Sequence, residues 1–319
     1  MQGPDERRTV QRLIRRLATG AALLVLVVIA TSAYLRHAQA GLGCTDWPQC
    51  YGRIVSPAQE TDVPAARKYA RMLHRVAATA VAAVLLALAL VSWTQRPLLY
   101  KQSGIVAATI LVTLLLAVLG ASTPGSRLPA VALGNLGGGF LLFALLGWLR
   151  STTDPEQLAP AAALRPWAFV TLVLLVAQIV LGGLIGAEFG ALSCTGFPGC
   201  DADWRGGTMA QLDPFRELAV GPEGAVISAP ALVAVHLAHR LMALVIVCCL
   251  IWLANKLLAL GGAWRRSAWT LFALAGLQAV LGVTAVRLSL PIGLVVAHNA
   301  TAALLLFSLV GIACRLRGP

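Results

Sequence analysis

The chain has 319 residues, 58% of them hydrophobic and 12% charged, with a formal net charge of +12. A soluble domain carries about 25% charged residues, so a mean hydropathy of +0.79 excludes an ordinary soluble globular domain. The positive charge does not form one basic face, which argues against a nucleic-acid partner.

A membrane-spanning helix takes about 20 mostly apolar residues. In chain order, stretches 17–38, 70–93, 102–122, 129–149, 165–187, 230–254, 266–287 and 290–313 meet that requirement. Barrel-type alternation is absent, and open strands cannot cross lipid, so all eight are predicted helices. Arg7, Arg8, Arg12, Arg15 and Arg16 precede span 1. Further basic residues fall at alternate connections: Arg96 and Lys101, then Arg150 and Arg165, then Lys256, Arg265 and Arg266, and finally Arg315 and Arg317. This is the positive-inside pattern for an even number of spans, with both termini cytoplasmic. The first outer loop, carrying Arg53, Arg67 and Lys68, runs against it. Span 1 is too long, and lacks a small-residue cleavage site, to be read as a removed signal.

The sequence repeats itself. AGLGCTDWPQC (40–50) is echoed by FGALSCTGFPGC (189–200), MLHRVAATAV (72–81) by LAHRLMALVI (237–246), and LAVLGASTPGSRLP (116–129) by QAVLGVTAVRLSLP (278–291). The expected architecture is therefore an all-α membrane protein of two tandem four-helix bundles, 1–150 and 165–319, related by internal duplication. Residues 151–164 link them, beginning with the polar STTDPEQLAP (151–160). The pairs Cys44/Cys50 and Cys194/Cys200 then face the oxidising periplasm, where a disulfide within each loop is favoured. So short a ring adds on the order of 2 kcal/mol, which suits a loop-shaping staple. A metal clip at the first loop would find only Asp46 beside the thiols, and a redox couple there is the competing reading. Cys248, Cys249 and Cys314, inside spans 6 and 8, read as buried small hydrophobes.

There are five histidines. His74 and His239 lie near the outer ends of spans 2 and 6, and His298 in the first half of span 8. His236 precedes His239 by three positions on one helix face. His37, at the end of span 1, reads as interfacial. Ionisable groups within spans are costly and point into a bundle. Imidazoles facing across a four-helix bundle suit axial haem ligation. A di-iron site would need bundle-facing glutamates, and zinc a compact tetrahedral set; neither pattern is present. Arg75 and Arg240, each following a histidine, are candidate partners for haem carboxylates.

GLGCTDWPQCYG, the LHR and AHR helix entries, the span 8 histidine and the duplicated plan together resemble the heme A synthase family over nearly the whole chain. The resemblance implies conversion of heme O to heme A, a porphyrin methyl group becoming a formyl group by successive hydroxylation. It implies a heme b cofactor ligated by His239 and His298, and a substrate haem held by His74 in the N-terminal half. The family commonly has a histidine in span 4. Here Gly134, Asn135 or Leu136 falls opposite His298, and Asn135 is the one polar candidate. Many members carry a glutamate before the first histidine. Arg71 stands near that place, with Glu60 a candidate substitute in proton handling. Gly134, Gly137, Gly138 and Gly139 give span 4 a small face for a flat macrocycle. The implied setting is a bacterial inner membrane, with lipid, heme O synthase and an electron donor as partners. The alternatives are a haem carrier or oxidase assembly factor without catalysis and, less well matched, a two-haem electron-transfer cytochrome.

Overall fold

The computed structural model describes residues 4–39, 52, 64–95, 99–123, 126–153, 161–194, 196–200, 202–203, 205–221 and 225–316. Among them the architecture is all-helical: α1 (Pro4–Gln39), α2 (Ala65–Trp93), α3 (Tyr100–Ser122), α4 (Pro129–Ser151), α5 (Arg165–Ala187), α6 (Ala231–Leu260), α7 (Trp264–Arg287) and α8 (Ile292–Arg315). All eight are long and apolar enough to cross a membrane. Glu60, Cys44, Cys50, Trp47 and Pro48 lie outside the described residues.

Several helices overrun the expected spans. α1 begins at Pro4 rather than near residue 17, with Asp5 and Glu6 in its first turn, where carboxylates suit the positive end of the helix dipole. α6 continues through Asn255 and Lys256 to Leu260. Hydropathy marks the part of a helix that lipid requires to be apolar, whereas backbone hydrogen bonding continues beyond it.

The packing pairs form two closed rings. α1 and α3 each touch α2 and α4; α5 and α7 each touch α6 and α8. This leaves α2 diagonally across from α4, and α6 across from α8. The rings meet where α4 packs on α5 and α8, and α1 on α8. Glycines permit the close approaches. A Cβ at Gly147 of α4 would stand 2.9 Å from the Phe307 ring of α8, and one at Gly183 of α5 would stand 2.6 Å from Leu136 of α4.

Leu88, Leu146, Leu149, Leu250, Leu253 and Leu309 are fully buried in one continuous core. Leu111, Leu114, Leu115 and Val118 of α3 point outward, as do Val173 and Val180 of α5 and Leu241 and Leu244 of α6. Such broad apolar surfaces belong against lipid. Cys248 is part of this outward face, and Cys249 and Cys314 are half-buried, which corrects the expectation that all three are buried. A narrow bundle buries one stripe of each helix and turns the rest toward lipid. His37 departs the other way: it is buried, its ring 3.6 Å from where a Gly186 Cβ would sit on α5.

The segment between α5 and α6 folds across the end of the helices where α5 finishes and α6 begins. It contains a 3-10 turn, Met209–Leu212, and an antiparallel bridge between Val220 and Val226. The Gln211 side-chain carbonyl accepts from the Thr208 and Ala231 amides at 3.2 and 3.3 Å, satisfying a first-turn donor of α6. The same segment reaches the first ring: the Leu218 amide donates to Arg127, Pro214 accepts from Ala130, and the Val226 amide donates to Gly52.

Candidate functional site

In the second ring, His239 of α6 and His298 of α8 are handled alike. Gln178 of α5 places its amide nitrogen 3.3 Å from Nε2 of His239 and donates to the His239 carbonyl at 2.9 Å. Gln278 of α7 places its amide nitrogen 3.0 Å from Nε2 of His298. One turn along each supporting helix is a glycine against the same ring. A Cβ at Gly182 would stand 2.9 Å from Cε1 of His239, and one at Gly282 3.0 Å from Cε1 of His298. Nδ1 of each imidazole is buried with no hydrogen-bond partner.

Sequence reasoning missed these supports, although a signal was present. Gln178-Ile-Val-Leu-Gly182 and Gln278-Ala-Val-Leu-Gly282 are one pattern written on consecutive odd helices. The i, i+4 spacing puts glutamine and glycine on one face. His236, also expected near this site, is buried one turn before His239 with Nδ1 likewise unpartnered.

Arg240, expected to meet a haem carboxylate, holds the disulfide loop. It donates to the carbonyls of Gly196 (2.5 Å), Gly199 (2.6 Å), Pro198 (3.3 Å) and Cys194 (2.7 Å). A tight loop closed by the Cys194–Cys200 disulfide turns its carbonyls inward, and buried carbonyls require donors. Phe197, on the same loop, stands under the guanidinium groups of Arg240 and Arg287, 5.9 and 5.1 Å from its ring centre.

The first ring is sparser. His74 of α2 is half-buried, and its Nδ1 lies 3.2 Å from Oγ1 of Thr31 on α1. Arg75 beside it is exposed and makes no ion pair among the described residues. On α4, Gly134 packs against Leu119 of α3, and Leu136 against Gly183 of α5. Asn135 lies between these two contact positions on α4. Its amide nitrogen is engaged with α3, donating to Thr123 Oγ1 at 2.9 Å, as well as to the Val131 carbonyl at 3.0 Å. The small face of α4 is divided: Gly134 and Gly138 seat leucines of α3, while Gly137 opens onto free space.

Sequence reasoning also passed over Glu188, directly after α5. It is buried at 1% exposure and ion-paired with Arg216. Burial pushes its carboxyl above the ordinary value, and the Arg216 guanidinium opposes that shift without cancelling it. Among the described residues, no cluster of three or more His, Cys, Asp or Glu forms a metal cage. His239 and His298 stand on diagonal helices of the second ring, and His74 stands on α2 of the first.

A family model described as cytochrome oxidase assembly protein, COX15-CtaA, matches residues 15–310. The chain belongs to this family. A heme A synthase of Shewanella oneidensis is 33% identical over 310 residues, covering 91% of this chain and 92% of the relative. Heme A synthases of Shouchella clausii (23% identical, 60% of this chain and 65% of the relative) and Allorhizobium ampelinum (30%, 52% and 43%) match shorter stretches. The family match takes in both rings, so His74, His239, His298 and both glutamine–glycine pairs lie within it.

Proposed function

We propose that the protein is a heme A synthase, an oxidoreductase that converts a methyl group of heme O to a formyl group by successive hydroxylation. The match to a heme A synthase over nine-tenths of both chains carries this reading. Charge placement supports an inner-membrane setting with cytoplasmic termini and periplasmic cysteine loops. The two rings are read as duplicated bundles, residues 1–150 and 165–319, with the substrate at the first and heme b at the second. Heme O synthase and an electron donor would be the natural partners.

The residues of the second ring fit a haem. A metal-bound histidine is oriented by a hydrogen bond at its other ring nitrogen. His239 and His298 each have one nitrogen met by a glutamine and one buried without a partner, on helices that face each other. Heme b, when bound there, supplies a one-electron carrier. Gln178 and Gln278 fix ring orientation, Gly182 and Gly282 make room for the rings, and Arg240 locks the disulfide loop above them.

In the first ring, His74 binds and orients the substrate iron. Asn135 is the polar candidate on α4, and an amide is a poor iron ligand, so no second strong ligand competes with chemistry at the substrate. Exposed Arg75, next to His74, would meet a substrate carboxylate. Heme O reaches this ring sideways from lipid, which its apolar tail favours.

Expressing the chain with a heme O source and extracting the pigments tests the function. Heme A should appear. If the extract holds heme O alone, the carrier or assembly-factor reading, which the missing α4 histidine favours, replaces this one.

A further inference from the structure

Thr31 of α1 makes two kinds of contact. Its hydroxyl lies 2.8 Å from the Val27 carbonyl and 3.1 Å from the Val28 carbonyl of its own helix. Across the ring it lies 3.2 Å from Nδ1 of His74. A threonine hydroxyl has one proton. A backbone carbonyl cannot donate, so the hydroxyl proton goes to Val27 or Val28. Toward His74 the oxygen then presents a lone pair, and Nδ1 must be the donor.

A neutral imidazole carries one proton. With it on Nδ1, Nε2 keeps its lone pair. We infer that Thr31 is a positioning residue that fixes the tautomer and orientation of His74 so that Nε2 is the atom presented to the substrate iron. The inference rests on the reading of His74 as that ligand. The N-terminal site thus has a single imidazole whose protonation is set from α1, with Thr31 one helical turn beyond Val27.

The full chain, labelled with 15N-histidine and free of haem, reports the tautomer directly by NMR, with His74→Ala identifying the signal. The expected result is a proton on Nδ1 of His74 in the wild type and a shift toward mixed tautomers in Thr31→Val. A proton on Nε2 in the wild type, or an unchanged signal in Thr31→Val, overturns the inference. A second measurement titrates heme O into the purified full-length protein. Losing an outer partner of a metal-bound histidine typically weakens binding tenfold to a hundredfold. Thr31→Val should lose about that much, and Thr31→Ser should recover it. If His74→Ala binds heme O as the wild type does, the ligand reading fails. If His74→Ala loses binding while Thr31→Val keeps it, the ligand reading stands and the role of Thr31 falls.

Discussion

The two rings share a plan and differ in how they equip it. The second has two imidazoles on diagonal helices, each backed by an amide and a glycine from the preceding helix. The first has one imidazole, backed by a hydroxyl, and an asparagine whose amide is held by α3. On the half-to-half register, Leu116 occupies in α3 the place of Gln278 in α7, so the histidine and its support are missing together. A doubly ligated iron suits a group that stays and passes electrons. A singly ligated one leaves room at a group that must react and depart.

The difference can be broken from either side. The variant His239→Ala/His298→Ala is expected to lose all b-type absorbance, read from the visible spectrum of purified protein; full absorbance would remove the ligand assignment. Asn135→His makes the first ring resemble the second. It should give a six-coordinate haem spectrum at the N-terminal site and lower the heme A yield in extracted pigments. Glu188→Ala should cost about 3 kcal/mol in denaturant unfolding, the lower end for breaking a buried pair, because Arg216 keeps contact with water. Gln178→Leu should weaken heme b retention tenfold to a hundredfold, about 1.4 to 2.7 kcal/mol, while leaving heme O binding unchanged.

The smallest expected effect is a pH dependence. The folded carboxyl of Glu188 holds its proton to higher pH than an unfolded one. Stability from this group is therefore greatest below the ordinary carboxylate value, falls as pH rises to the folded value, and is constant above. Glu188→Gln should flatten that part of the stability profile. A wild-type profile with the opposite slope would contradict the assignment.

Much of this was legible in the sequence. Eight spans follow from apolar length, and His239 and His298 stand out as ionisable groups within two of them. The glutamines were not found because each reads as one polar residue in an apolar stretch; their meaning is the partner across the ring. Glu188 and Arg216 lie 28 positions apart in an irregular segment, and no periodic pattern announces such a pair. The role of Arg240 depended on the carbonyls of a loop whose path is set by tertiary contacts. The placement of Asn135 needed the angular position of α4, which Leu136 on Gly183 and Gly134 on Leu119 supply.

The segment between α5 and α6 ties Pro214, Leu218 and Val226 to Ala130, Arg127 and Gly52. Chains emerge from the ribosome N-terminus first. The mouth of the first ring is therefore finished by residues made after five helices have already been synthesised. The first ring therefore cannot complete this rim until the segment that follows α5 has been made.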